Sequence, residues 1–421
     1  MIFLYNIITL LLAPFIVLLL PVYLLFNPEK FTIIPLRFGF KLNLPSRRKQ
    51  STLWIHALSV GEITSAHHLV KQIYRDRHAS TTIIFSTTTA SGHQLARRLI
   101  APFCDALIYS PVDILPVVKY FHRKIQPDLF ILIETDFWPN MLYNLASSNV
   151  PMMLLNGRVS DRSMQRYRRL KLFFTPLFDT FRLLCMQTDN DANKMRLLGI
   201  AEEKIKTLGN LKFGGCDEIE SVTQNDENPF PDGNLIVFAG STHEGEDEII
   251  IEVFVQLRKT ARSPLHLVIA PRKVSRCENL VELLQDKKLS FVKYSAPESQ
   301  AGEVTIIDTI GDLAALYRFA DISFIGGSLV AEGGHNPLEA AQYGCPVIFG
   351  PHMDDFSEIS HELQECGGAL MVKDQATLGN TLKALIHDDD KRKSIGRDAL
   401  GYTTKHAHVI DDHLRLIDHY L

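Results

Sequence analysis

Residues 326–351, GGSLVAEGGHNPLEAAQYGCPVIFGP, directly follow the apolar run DISFI at 321–325. The run is typical of a buried parallel strand, and the two glycines after it allow the chain to turn without a Cβ clash. The tetrad Asn-Pro-Leu-Glu at 336–339 combines a capping residue, a proline at the first helical position and an acid at the third. The stretch therefore predicts a strand, a glycine-rich turn, a capped helix and a second strand.

The predicted helix start has two interpretations. A helix N-terminus has free N–H groups and about half a positive charge, so it can hold a phosphate, while Glu339 can bind ribose hydroxyls. Alternatively, Glu339 only closes a capping box with Asn336. Both interpretations remain open at this point, because a glycine-rich turn before a capped helix is common in α/β proteins.

Composition narrows the class of protein. With 421 residues, 46% of them hydrophobic, the chain is long enough for two domains of ordinary size. The net charge of −4 and the absence of a long basic run argue against a general nucleic-acid binder. The six cysteines form no CxxC pair, and no HExxH occurs. These features predict reduced cytosolic thiols, no disulfide framework and no metal site.

The N-terminus is the most apolar part of the chain. Residues 1–28 have no charged side chain, and 2–26 are almost continuously apolar, which is long enough to cross a bilayer. No signal-peptide cleavage site is clear, so we predict an anchor that either spans the membrane or lies in its interface. The segment after it is basic, which predicts that the rest of the protein lies on the cytoplasmic side. Its charged residues are Glu29, Lys30, Arg37, Lys41, Arg47, Arg48 and Lys49.

From residue 53 onwards, short apolar runs alternate with amphipathic segments. This alternation predicts a doubly wound parallel sheet, and its restart after the polar linker at 217–234 predicts a second α/β domain. The predicted strands are 53–58, 82–85, 106–109, 128–133, 152–155, 183–186, 235–239, 265–270 and 304–307. The predicted domains are an anchor at 1–28, an N-terminal domain at 50–216, a C-terminal domain at 234–400, and a C-terminal helix at 401–421 that packs back on the N-terminal domain. Two such domains predict a cleft with substrates on opposing walls.

Two acids stand directly after predicted strands. Glu62 follows the first strand, and Glu134 follows the apolar run DLFILI. Functional residues of doubly wound sheets lie beyond the carboxyl ends of the strands, where an acid can act as a general base. Either acid can instead be an ordinary negative charge at a helix N-terminus. The residues alone leave both roles open.

Two charged segments also have more than one interpretation. The arginine-rich segment at 158–171 is either a solvated helix face or a surface for anionic head groups. The triplet Asp189, Asn190 and Asp191 superficially resembles a DxD metal site. Its acids are better suited to the start of a helix that ends near residue 198, so we predict no metal there.

Taken together, the motifs resemble the 3-deoxy-D-manno-octulosonic acid (Kdo) transferases of lipopolysaccharide assembly. The resemblance covers almost the whole chain, and the order and number of the motifs make the combination specific. The motifs are HALSVGE at 56–62, FSTTTASG at 85–92, ETDFWPN at 134–140, NGRVSDRS at 156–163, GNLKF at 209–213, AGSTHEGE at 239–246, APR at 270–272, DTIGDL at 308–313 and GGHNPLEAA at 333–341.

The resemblance implies a fold and a division of roles. The fold would be of the GT-B type, with two Rossmann-like domains facing across a cleft and an N-terminal membrane anchor helix. Residues 50–216 would bind the acceptor, a lipid A precursor, and 234–400 would bind the donor CMP-Kdo. Glu62 would be the general base, while Glu134 and Lys212 would stabilise the transition state. The donor-binding residues would be Pro271, Arg272, Ile310, Gly311, Asp312, Asn336, Pro337, Leu338 and Glu339.

The implied reaction is an inverting transfer of Kdo from CMP-Kdo to a lipid A precursor (lipid IVA), with release of CMP. Neither a metal ion nor another cofactor is implied, and the partners would be the two substrates and the inner membrane. The alternatives are a uridine-sugar-dependent transferase or epimerase of the same fold, and a non-catalytic membrane scaffold. The sequence departs from the family pattern at Asp136, Gly157 and Gly214–Gly215. The last of these stands where an acid commonly follows the Lys-Phe pair.

Overall fold

A computed structural model describes most of the chain. The described residues are 2, 5–7, 9, 11, 30–45, 49–135, 137–215, 227–296 and 302–421. Most of the predicted anchor at 1–28 and most of the predicted linker at 217–234 therefore lie outside the described residues. The same holds for Arg47, Arg48 and Asp136.

The predicted inner-membrane location is contradicted. Among the residues that the structure describes, no helix is long and apolar enough to cross a membrane. Helix α1 (Lys30–Arg37) is only eight residues long and contains Pro35. Eight residues of helix extend about 12 Å, far less than the ~30 Å of hydrocarbon in a bilayer. The predicted anchor at 1–28 itself lies mostly outside the described residues.

Internal contacts divide the chain into two compact units. The first comprises Met1–Gly214 and His408–Leu421, and the second comprises Gly215–Ala407. Each unit has a seven-stranded sheet in which all pairings are parallel. Two parallel-sheet α/β domains were predicted, and this part of the fold prediction is confirmed.

The sheet of the first unit has the strand order β3-β2-β1-β4-β5-β6-β7. Its strands are β1 (Ser51–Ala57), β2 (Thr81–Thr87), β3 (Ala106–Tyr109), β4 (Leu129–Ile133), β5 (Met152–Gly157), β6 (Leu183–Met186) and β7 (Ile205–Thr207). The helices among them are α2 (Val60–Arg77), α3 (Ala90–Leu99), α4 (Leu115–Ile125), α5 (Pro139–Ser147), α6 (Asp161–Arg169), α7 (Lys171–Phe178) and α8 (Asp189–Leu198). The central strands are apolar on both faces because helices cover both sides; β4, for example, is buried at all five positions.

The sheet of the second unit has the strand order β10-β11-β9-β8-β12-β13-β14. Its strands are β8 (Leu235–Thr242), β9 (Leu265–Pro271), β10 (Phe291–Lys293), β11 (Val304–Ile306), β12 (Ile322–Ile325), β13 (Val347–Phe349) and β14 (Ala369–Met371). Its helices are α9 (Glu246–Leu257), α10 (Cys277–Asp286), α11 (Leu313–Leu316), α12 (Leu338–Ala341), α13 (Ser357–Glu365), α14 (Gln375–His387) and α15 (Asp389–Lys405).

Each sheet has one point at which the strand order reverses. In the first unit β1 lies between β2 and β4, and in the second unit β8 lies between β9 and β12. Ligands of doubly wound sheets bind beside the carboxyl ends of the strands at such a switch point. The strand ends at β1 and β4, and at β8 and β12, are therefore the positions at which to look for functional residues.

The C-terminal residues complete the first unit. Within 401–421, helix α15 ends at Lys405 and a separate helix α16 (Val409–Tyr420) follows. Helix α16 packs on α2, and Arg77 of α2 forms an ion pair with Asp418 of α16. The last helix of the chain thus contacts an N-terminal element that lies more than three hundred residues earlier in the sequence.

Candidate active site

Glu62 lies in the first turn of α2, directly after β1. Its side chain is 7% exposed. One carboxylate oxygen accepts a hydrogen bond from the Leu58 N–H, and the other accepts one from the Ser59 hydroxyl at 3.3 Å. The carboxylate therefore closes the turn between strand and helix, and its position at the switch point is also the one that a general base would need.

Glu134 follows β4, the strand that pairs with β1. Its φ of 60° lies in the left-handed region, which is costly for a residue with a Cβ. The Glu134 N–H donates to the Leu155 carbonyl at 2.8 Å, and the carboxylate accepts a bond from the Asn156 side-chain amide at 3.3 Å. A strained backbone held by neighbouring strands is typical of functional sites, because the surroundings must over-determine it.

Lys212 lies in a 3-10 turn, Leu211–Gly215, after β7. The turn is held by two amide side chains. The Asn210 side chain accepts from the Lys212 N–H at 3.0 Å, and the Asn156 side chain accepts from the Leu211 N–H at 2.9 Å. Asn156 thus contacts both the Glu134 carboxylate and the segment that carries Lys212. Sequence reasoning assigned no role to Asn156, although it opens the NGRVSDRS motif.

The structure explains two departures from the family pattern. A Cβ at Gly214 would lie 2.7 Å from the Ile410 side chain of α16 and 2.8 Å from the His68 Cβ. A Cβ at Gly157 would lie 2.7 Å from the Met186 sulfur. Neighbouring side chains already occupy both spaces, so a larger residue would require them to move.

The predicted donor-binding segments of the second unit all follow strand ends at one edge of its sheet. Pro271 ends β9, the turn at 310–312 follows β11, and the tetrad at 336–339 follows β12. The Arg272 side chain is exposed, and the backbone N–H of Arg272 donates to the Thr242 carbonyl at 3.0 Å. Ile310 is 88% exposed, which is unusual for a large apolar side chain.

A buried carboxylate organises the glycine-rich turn after β12. Glu246, at the start of α9, has no exposed surface. One oxygen accepts from the N–H groups of His243 and Gly327, and the other accepts from those of Ser328 and Leu329, at distances from 2.6 to 3.0 Å. Sequence reasoning missed this role, although Glu246 ends the AGSTHEGE motif. The turn also needs its first glycine, since a Cβ at Gly326 would overlap the Ser241 carbonyl.

The helix that was predicted after the glycines is too short to have a substantial helix dipole. Helix α12 has four residues, so its N-terminus adds little positive charge to the site. The Asn336 side chain accepts from the Leu338 N–H at 3.1 Å, but Pro337 is the residue directly before the helix and makes no side-chain cap, so the predicted cap and first helical position are each one residue too early. Burial raises the pKa of the Glu339 carboxyl to about 7, although the nearby Arg272 and a hydrogen bond with Asn336 act in the opposite direction.

Two histidines lie next to this tetrad. The Nε2 atoms of His243 and His335 are 2.9 Å apart, and their rings are stacked. Burial, and then the charges of Arg272 and His243, lower the pKa of His335 to about 4. His335 is therefore neutral near pH 7, so the contact between the two rings is a hydrogen bond in which one nitrogen donates and the other accepts.

The two remaining charged segments lie in different surroundings. In α6 the buried side chains are Met164 and Tyr167, while the arginines of that helix are exposed. Asp191, of the superficially DxD-like triplet, accepts from the Val159 N–H at 2.8 Å and from the Thr188 hydroxyl at 2.6 Å. The triplet starts α8, as its acids suggested.

Family models and known proteins match the sequences of both units. The family model described as 3-Deoxy-D-manno-octulosonic-acid transferase (kdotransferase) matches residues 33–214, and that described as Glycosyl transferases group 1 matches residues 222–400. The 3-deoxy-D-manno-octulosonic acid transferase of Haemophilus influenzae is 34% identical over 368 residues, which are 86% of this chain and 84% of that protein. The chain belongs to the Kdo transferase family.

The Kdo transferase of Rickettsia prowazekii is 29% identical over 91% of this chain and 83% of its own. Among solved structures, the UDP-GlcNAc 2-epimerase of Neisseria meningitidis superposes with a TM-score of 0.56, covering 87% of this chain and 99% of that one at 12% identity. At that identity the likeness concerns the fold alone. The present Kdo transferase is thus a glycosyltransferase enzyme of lipopolysaccharide biosynthesis with a GT-B-like pair of domains. A non-catalytic scaffold is excluded.

Proposed function

We propose that the enzyme transfers Kdo from CMP-Kdo to a lipid A precursor, with Glu62 as the general base. The observation that carries the proposal is the position of Glu62 and Glu134 at the ends of the paired strands β1 and β4, where the strand order reverses. Relatives named as Kdo transferases support the sugar. The exposed Arg272 and the tetrad at 336–339 support a nucleotide monophosphate at the edge of the second sheet.

The proposed reaction is a single displacement at the anomeric carbon of Kdo. An acceptor hydroxyl oxygen forms the new bond as its proton passes to the Glu62 carboxylate. The bond between the anomeric carbon and the phosphate oxygen breaks, and its electron pair leaves with CMP. The sugar gains positive character in the transition state, so a fixed carboxylate such as Glu134 stabilises it. Arg272 supplies fixed positive charge for the leaving phosphate, Lys212 stabilises charge that develops during transfer, and the proposal uses no metal ion.

Three of the donor-binding residues have a specific role in the proposal. Arg272 has a planar guanidinium that can donate two parallel hydrogen bonds to one phosphate or carboxylate. Ile310 offers an exposed apolar surface on which a pyrimidine ring can pack. Glu339 accepts ribose hydroxyls when it is ionised, and its pKa of about 7 makes that ionisation sensitive to pH.

The proposal is tested by the release of CMP. Purified enzyme with CMP-Kdo and lipid IVA should release CMP and add Kdo to the lipid, whereas omission of either substrate should leave only background. A parallel reaction with UDP-GlcNAc should give neither UDP nor an epimer. Turnover of UDP-GlcNAc without turnover of CMP-Kdo would contradict the proposal and favour the epimerase that shares the fold.

CMP binding should depend on pH through Glu339. The raised pKa means that the anion is present above about pH 7 and is lost as the pH falls through that value. Glu339→Gln should therefore weaken CMP binding about tenfold near pH 8.5 but less than about twofold near pH 6, since a hydrogen bond to a charged group contributes about 1.5–3 kcal/mol. Calorimetric titration of wild type and Glu339→Gln at each pH gives the ratio of their Kd values. Protonation of CMP itself affects both Kd values equally and cancels in this ratio. Glu282→Gln, at an exposed site on α10, is the matched control, and a ratio for Glu339→Gln that stays constant with pH would refute this role.

A further inference from the structure

A row of amide side chains crosses four adjacent strand ends of the first sheet. Glu134 follows β4, Asn156 is the second-last residue of β5, Gln187 follows β6, and Asn210 follows β7. The strands β4 to β7 are neighbours in that order, so the four side chains lie side by side along one edge. We call Asn156, Gln187 and Asn210 the amide row.

The amide row is a continuous chain of hydrogen bonds. The Asn156 amide nitrogen donates to the Glu134 carboxylate at 3.3 Å, and the Gln187 amide nitrogen donates to the Asn156 backbone carbonyl at 3.1 Å. The Asn210 amide nitrogen donates to the Gln187 side-chain oxygen at 3.4 Å, and the Asn210 oxygen accepts from the Lys212 N–H at 3.0 Å. The Leu211 N–H donates back to the Asn156 side-chain oxygen at 2.9 Å, which closes the chain into a ring.

Asn156 is the centre of this ring. It has no exposed surface, and its φ of 57° is left-handed. Its amide is oriented by the Leu211 N–H, because a backbone donor can only face the oxygen, and the nitrogen must then face Glu134. One buried side chain therefore contacts both the Glu134 carboxylate and the turn that carries Lys212. Glu62 is held by other groups, the Leu58 N–H and the Ser59 hydroxyl.

We infer that Asn156 is a positioning residue that holds Glu134 and Lys212 as one unit during transfer. This inference rests on the proposed function, in which those two residues stabilise the transition state. Small displacements of such groups have large effects on rate, since a shift of about 1 Å can lower it about a hundredfold. A purely structural role for the amide row would lower stability and leave the pH dependence of kcat unchanged, so the two roles give different measurements.

The variant Asn156→Asp distinguishes the positioning role from a purely structural role. Aspartate keeps the acceptor for the Leu211 N–H but places a second carboxylate against Glu134. Two adjacent carboxylates retain one shared proton to a higher pH than either would alone. With that proton the pair keeps an O–H donor in place of the amide N–H, and without it the two charges repel. Relative to wild type, kcat of Asn156→Asp should fall about tenfold near pH 5.5 and about a hundredfold near pH 8.5, with little change in KM for CMP-Kdo.

A matched control shows what the same substitution does at a left-handed residue outside the amide row. Asn149 is exposed and has a φ of 58°, so Asn149→Asp makes the same chemical change at the same backbone conformation outside the amide row. It should leave kcat and its pH profile unchanged. Gln187→Met, which keeps the approximate shape but removes the two side-chain hydrogen bonds to Asn156 and Asn210, should lower kcat about tenfold. It provides a second test if Asn156→Asp does not fold.

The outcomes are distinguishable. Wild type that fails to release CMP from CMP-Kdo would overturn the proposed function together with this inference. An active wild type, with Asn156→Asp showing unchanged kcat or a constant ratio to wild type from pH 5.5 to 8.5, would overturn the inference alone. Melting curves at both pH values show whether each variant remains folded.

Discussion

Glu62→Gln should lower kcat for Kdo transfer by about a thousandfold while KM for CMP-Kdo changes little. Loss of a general base typically costs a factor of about 10² to 10⁴ in rate. Glutamine has nearly the same shape, and its oxygen can still accept from the Leu58 N–H, so the turn between β1 and α2 should remain. What it cannot do is take the proton of the acceptor hydroxyl.

The same variant decides between the two interpretations of Glu62. If the carboxylate only closes the start of α2, the variant should be fully active and lose about 1 kcal/mol of stability, the usual effect of losing a cap. Rates of CMP release together with thermal melting separate these outcomes. Asp76→Asn, an exposed acid on the same helix, is the matched control and should change neither quantity. Full activity of Glu62→Gln would remove the base from the proposed mechanism.

Glu246→Ala should abolish CMP binding and destabilise the second unit by about 4 kcal/mol or more. The alanine would leave the N–H groups of His243, Gly327, Ser328 and Leu329 without their acceptor. Each buried donor that loses its partner costs about 1–3 kcal/mol. The glycine-rich turn lies between β12 and the tetrad at 336–339, so we expect loss of its shape to displace the donor-binding residues.

Glu246→Gln should lower CMP binding and the stability of the second unit nearly as much as Glu246→Ala, although glutamine has almost the same shape as glutamate. Both carboxylate oxygens accept two N–H groups each, and glutamine would turn a side-chain NH₂ towards one of these pairs. Glu248→Ala is the control, because Glu248 is exposed and accepts from the Gly245 N–H at 3.1 Å, outside the glycine-rich turn. Urea unfolding and calorimetric titration with CMP measure the two effects. Normal CMP affinity in Glu246→Ala would show that the carboxylate does not organise the donor site.

Local patterns in the sequence were sufficient for the main strands and for the class of fold. The apolar runs at 106–109 and 183–186 coincide with β3 and β6. Strand β6 is buried at all four positions, as expected of a strand covered on both faces, whereas the edge strand β3 alternates buried and half-buried positions. The positions of Glu62 and Glu134 after β1 and β4 followed from the same alternation. The family resemblance was also contained in the motifs, and the comparison with the Haemophilus influenzae enzyme confirmed it.

Short elements were determined by their neighbours. Strands β7, β10 and β14 have three residues each, too few to show a period, and they form because the neighbouring strands β6, β11 and β13 supply the pairing. The capped helix at 336–339 was expected to be long enough to carry a dipole. It ends after four residues, so the site depends on side chains. The membrane anchor was inferred from hydropathy alone, and the described part of the chain contains no helix that could span a bilayer.

The sequence by itself determined the two parallel sheets, the acids beyond their strands and the glycines of the donor edge, since each depends on residues close together in the chain. Only the tertiary structure decided what holds these groups in place. Asn156 contacts a carboxylate 22 residues before it and a turn 55 residues after it, and Glu246 accepts from a turn more than 80 residues away. No local pattern encodes such contacts, because they form only when parallel strands bring distant chain segments to one edge of a sheet.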